Sequence, residues 1–113
     1  MVESGSVERL AKNESFFRQV NERIKDVADG FEGAQAYEFL CECSDPGCTE
    51  RIELTRTEYE SVRARPARFV LARGHAAPQI EHVVEQDDEH DVVEKRGVAG
   101  QVAAKLDPRA AQA

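Results

Sequence analysis

The chain has 113 residues, 41% of them hydrophobic, and a formal net charge of −7. That length suits one small domain over 1–113, with a core in which a metal staple would matter. An acidic balance, with a pI near 5.0, argues against nucleic-acid binding driven by bulk electrostatics, because phosphate contacts need clustered Lys and Arg.

The opening "MVESGSVERL" has neither a basic n-region nor an apolar run, so neither a secretory signal nor an anchor is expected. No later stretch is apolar enough over sufficient length to cross a bilayer. A cytoplasmic setting is therefore the expectation, and there thiols stay reduced.

The first element predicted is a helix over 7–29, with Ser6 as N-cap and Gly30 as stop. Leu10, Phe17, Val20, Ile24 and Val27 recur along it at heptad spacing, with Asn13 in the one vacant place. Such a seam either packs on the protein's own sheet or serves a homodimer or protein partner. These five residues are the candidate partner-binding set.

Residues 37–96 read as a small antiparallel sheet of about five short strands, interrupted by the cysteines and a short helix. "YEFLCEC" and "TERIELT" suit a hairpin whose tip is "SDPG", with Pro46 and Gly47 at the centre of a type II turn. Thr55 and Glu58 have capping-box spacing and open a helix that Pro66 must end. "ARFVLARGH" is a strand leading to His75, where Gly74 admits an unusual backbone angle. "QIEHVV" and "DVVEKR" flank an acidic hairpin tip. Residues 97–113 supply a last helix, from Val98 to Leu106, and a fraying tail. The fold class is thus α+β: a heptad-patterned N-terminal helix, a small sheet with a Cys-rich loop, and two short helices.

The chemistry concentrates in Cys41, Cys43 and Cys48. Residues two apart on a strand face the same side, and the following turn brings Cys48 over them. Three thiolates repel one another unless a cation holds them ionised, so a metal is the simplest reason for the cluster. Structural zinc takes four ligands in a tetrahedron. His75, delivered by a strand and a turn, is the candidate fourth; His82, His90, Asp45 or water are the alternatives. Without metal, a Cys43–Cys48 disulfide is the competing explanation.

The spacing CxCx4C, with three cysteines and one histidine, is similar to the ligand set of the CDGSH iron–sulfur family, which holds a [2Fe–2S] cluster. The resemblance covers the cysteine loop; that family's CDGxH run is absent, because Thr49 and Glu50 follow Cys48. The pairing of a Cys/His site with a long helix also resembles the architecture of zinc-dependent anti-sigma factors, without their HxxxCxxC run.

A catalytic zinc would need an open coordination position and a carboxylate base, for which Glu42 or Asp45 could be nominated. A thiol nucleophile would be Cys48 beside His75. Clustered thiols suit neither role, so the expectation is a non-enzymatic zinc protein, an interaction or regulatory module. The alternative is a Cys3His iron–sulfur or thiol–disulfide redox sensor or electron carrier. Arg51, Arg56, Arg63, Arg65, Arg68 and Arg73 crowd the stretch after the cysteines. They pair with the abundant carboxylates or form a local basic face, in which Tyr59 and Phe69 are the only aromatics to stack bases.

Overall fold

The computed structural model describes residues 4–31, 33 and 35–109, with side chains from Arg9 onward. The expected fraying tail lies largely outside them. The elements, in chain order, are α1 (Ser4–Ala28), β1 (Ala36–Leu40), β2 (Arg51–Thr55), α2 (Arg56–Arg63), β3 (Arg68–Ala72), β4 (Glu81–Gln86), β5 (His90–Lys95) and α3 (Gly97–Lys105). The fold is α+β. Its five antiparallel strands divide between a two-stranded sheet, β1-β2, and a three-stranded sheet ordered β3-β5-β4.

Local chemistry explains most of the boundaries. Thr55 ends β2 and caps α2: its Oγ1 accepts from Glu58 N at 3.1 Å, and Glu58 Oε1 accepts from Thr55 N at 2.8 Å. That reciprocal box satisfies two amides at the helix start. Ser6 is not a cap, because helical backbone already runs from Ser4. Gly74 turns the chain after β3 with φ +81°, a left-handed angle that glycine adopts without a Cβ clash.

The two sheets share one core, formed by Phe39, Ile52 and Leu54 from the first and Phe69, Val70, Leu71, Val92 and Val93 from the second. Tyr59 of α2 stacks on Phe39, with ring centroids 4.5 Å apart. Cys41 and Cys43 belong to this same core, at 1% and 2% exposure. Just beyond β1, Glu42 N donates to Val70 O at 2.8 Å, so the cysteine segment runs against β3.

α1 inverts the usual amphipathic rule. Its buried line is Ala11, Glu14, Ser15, Arg18, Asn21 and Ala28, whereas a core-facing helix ordinarily turns its apolar stripe inward. Glu14, Arg18 and Asn21 are tolerated because they meet partners, while the buried Ser15 hydroxyl has no hydrogen-bond partner among the described residues. Arg18 donates to Pro66 O at 2.5 Å and Ala103 O at 2.7 Å, and its guanidinium lies 4.2 Å from the Phe69 ring centroid. Lys95 is enclosed by Glu14 and Glu81. Asn21 serves both backbone groups of Leu40: its Oδ1 accepts from Leu40 N at 2.8 Å and its Nδ2 donates to Leu40 O at 2.9 Å.

The heptad residues consequently fall elsewhere. Leu10 leans on a small cluster of Ala11, Ala77, Ile80 and Ala99, and Ile24 on the main core. Phe17 and Val20 are half-buried, and Val27 is 63% exposed. No helix among the described residues is long and apolar enough to cross a membrane.

Candidate metal centre

β1 runs directly into the thiols, and the turn after them closes the loop. Cys48 N donates to Asp45 O at 3.1 Å, and Asp45 Oδ1 accepts from Gly47 N at 2.9 Å. The turn is not type II, since that form needs a positive φ at its second central residue and Gly47 does not have one. The Asp45 carboxylate, acting on its own backbone two residues on, provides the stabilisation instead. From the other side, β3 and the Gly74 turn deliver His75, whose N–H bonds Ala72 O at 3.2 Å.

These two segments bring Cys41, Cys43, Cys48 and His75 together, with one ligand atom from each lying within 4.8 Å of the others. Cys41 Sγ and Cys48 Sγ are each 3.6 Å from His75 Nδ1. A tetrahedron with Zn–S near 2.3 Å and Zn–N near 2.0 to 2.1 Å has an S···N edge of about 3.6 Å. The two sulfur–nitrogen separations match that edge, and the donor set, three thiols and an imidazole, fits a metal.

The alternative fourth ligands do not join the cluster. His82 is exposed on β4, and His90 turns its Nδ1 toward Asp87 at 3.2 Å. Asp45 is exposed and engaged with its own turn.

Burial pushes the Cys41 thiol well above its ordinary range; the Ala72 N–H opposes this, and the neighbouring Cys43 and Cys48 add to it. Burial likewise raises Cys43. Metal-free, these thiols hold their protons, and a cation must displace them to bind. The Ala72 N–H, 3.1 Å from Cys41 Sγ, is a ready hydrogen bond to the thiolate so formed.

Asn13, expected to fill a gap in the heptad seam, and Glu42, nominated as a base, instead support the metal loop and the core beside it. Asn13 of α1 donates to Ser44 O at 3.2 Å and ties the helix to the metal loop. Glu42, between the two buried thiols, is itself completely buried, and its carboxylate accepts from Val70 N at 3.0 Å, Asn21 Nδ2 at 2.9 Å and Tyr59 OH at 3.0 Å. Burial raises its pKa and these donors oppose the rise. A carboxylic residue set between two cysteines just past the strand was the visible sign of such a network.

Of the six clustered arginines, Arg56, Arg63, Arg68 and Arg73 pair with Asp29, with Glu22 and Asp107, with Glu94, and with Asp91 respectively. The arginine-rich stretch is in large part the cationic half of the fold's own ion pairs. Comparison with known proteins adds nothing to this geometry: no protein-family model, curated protein or solved structure matches the chain.

Proposed function

We propose that the protein is a non-enzymatic zinc protein in which Cys41, Cys43, Cys48 and His75 hold one ion as a structural staple, and that α1 serves a protein partner or homodimer. The observation carrying this reading is the compact four-ligand set, all within 4.8 Å. Four protein ligands close a tetrahedral sphere and leave no place for substrate or activated water. The carboxylate nearest in sequence is already committed, since Glu42 accepts three hydrogen bonds in the core.

The same compactness weighs against a two-iron cluster, whose ligands divide into two pairs held further apart by the bridging sulfides. The reading as an interaction or regulatory module in the cytoplasm rests on reduced thiols and on the exposed apolar residues of α1, Phe16 at 62% and Val27 at 63%.

Metal analysis by mass spectrometry with a visible absorption spectrum, on protein purified anaerobically without added metal, tests the staple. One zinc per chain and no colour is expected; iron with a visible band moves the site to the redox class. Cys43→Ser should then lose the metal and several kcal/mol of stability, because binding free energy at a structural site is folding free energy. Unchanged metal content and melting temperature would remove the staple.

A further inference from the structure

The face of α1 opposite the buried Arg18 carries Lys12, Phe16, Val20, Arg23 and Val27 at successive helical turns. Phe16 and Val27 are 62% and 63% exposed, while the inward face of the same helix is polar. Between α1 and the metal loop, Asn13, Phe16, Phe17 and Pro46 line a depression of about 110 Å³. One helix thus displays an apolar hollow in its N-terminal half and an apolar knob, Val27, in its C-terminal half.

We propose that this face is a self-association surface: a second copy of the chain packs its α1 antiparallel against the first, each Val27 entering the other's hollow beside Pro46. This rests on the zinc-module reading, since Pro46 stands in the loop between two ligands.

The argument for a second copy is the register. A two-fold interface requires that where residue i meets j, j also meets i. The midpoints of Lys12 with Asp26, of Asn13 with Val27, and of Phe16 with Arg23 all fall at or between Gln19 and Val20. One two-fold axis there therefore brings Lys12 to Asp26, the hollow to Val27, and the Arg23 guanidinium to the Phe16 ring, each pair twice. At 100° per residue, Lys12, Arg23 and Asp26 lie on the same flank, and an axis between antiparallel helices keeps like flanks together.

The charges are available for this. Lys12 and Arg23 are exposed and make no ion pair among the described residues, and Asp26 reaches only Lys25, at 3.7 Å. Lys25 itself lies closer to Asp29, at 2.9 Å. Opposite-charge pairs at such a rim fix register more than they add affinity.

The experiment is sedimentation equilibrium of the full zinc-loaded chain, comparing wild type with Lys12→Glu, Asp26→Lys and the double variant. Both positions are solvent-exposed, so the fold tolerates the changes. A reversible dimer is expected, each single variant raising its dissociation constant about tenfold and the double variant recovering it to within about threefold of wild type. Chelation should also weaken the dimer, as the Pro46 wall loosens.

A zinc-loaded chain that stays monomeric overturns the pairing, reassigns the face to a different protein, and leaves the staple standing. A dimer insensitive to both single swaps, or not rescued by the double, overturns this register. Swap-sensitive dimerisation in a protein that binds no metal overturns the staple and leaves the pairing.

Discussion

Glu42 shows how strictly a buried side chain can be specified. Oε1 faces the Val70 N–H, and Oε2 faces both Asn21 Nδ2 and the Tyr59 hydroxyl. A glutamine has the same shape but one acceptor oxygen. Whichever way its amide turns, its NH2 meets a backbone or amide donor, and one buried donor loses its acceptor. Leaving such a donor unpaired costs about 1 to 3 kcal/mol. Glu42→Gln should therefore lower stability by that amount in a denaturant titration while leaving metal stoichiometry unchanged, because the side chain is not a ligand. The legibility of the site divides along the same line. The ligands were readable because thiols two apart on a strand, a turn, and a histidine after a strand have few other joint uses. The shape of the turn was not, because the Asp45 carboxylate competes with the Pro-Gly preference that suggested type II. Nor was Glu42's role, because its donors come from α1, α2 and β3, which sequence spacing does not relate.

At the scale of elements, ion pairs do what apolar contact does in most small domains. Arg109, just after α3, meets Glu22 of α1 at 2.5 Å and Glu60 of α2 at 2.8 Å. Arg63 of α2 meets Glu22 at 2.9 Å and also Asp107. For Glu22, burial raises the pKa but hydrogen bonds from Arg109 and Arg63 outweigh it, leaving the carboxyl below its ordinary value of 4.5. Glu60 is lowered first by its hydrogen bond from Arg109, against a smaller effect of burial. Depressed carboxylates bind fewer protons folded than unfolded, so their stabilisation is present above the unfolded pKa and is lost as pH falls through the folded one. Arg109→Met should accordingly flatten the acid limb: its melting temperature should fall less than wild type's as pH drops from about 5 to about 3. The buried Glu42 and Glu81, raised by burial, act with the opposite sign. They remain in both proteins, so the difference isolates the Arg109 clamp. This clamp also explains why heptad periodicity misjudged the inner face of α1. A hydrophobic pattern equates apolar with buried, whereas here Arg18, Asn21 and Glu14 are buried because carbonyls, amides and Lys95 across the fold receive them.

For the whole molecule, the division into two sheets decides what the metal supports. A two-stranded sheet is marginal by itself in water, whereas three strands packed on helices sustain one another. The β1-β2 hairpin is therefore the weaker unit. It is held by Asn21 on Leu40, by the core contacts of Phe39, Ile52 and Leu54, and by the thiol loop that joins its strands. An ion held by the four residues would join that loop to His75 beyond β3, across the boundary between the sheets. Removing the ion should loosen the structure unevenly. Native-state hydrogen exchange after chelation is expected to show lost protection at Cys41 and Cys48, whose amides bond Glu50 O and Asp45 O within the hairpin and its loop, and at Leu40, whose amide ties the hairpin to Asn21 of α1. The amides that bond within the β3-β5-β4 ladder should stay protected, whereas Val70 N, which donates to Glu42, and Ala72 N, which donates to Cys41 Sγ, face the cysteine segment and should loosen with it. Local opening of this kind follows cooperative units. Uniform loss across both sheets would instead make the metal a condition of folding for the entire chain. No change at Cys41 and Cys48 would mean that packing alone holds the loop, and the buried thiols would then owe their position to the core they share with Phe39 and Val70.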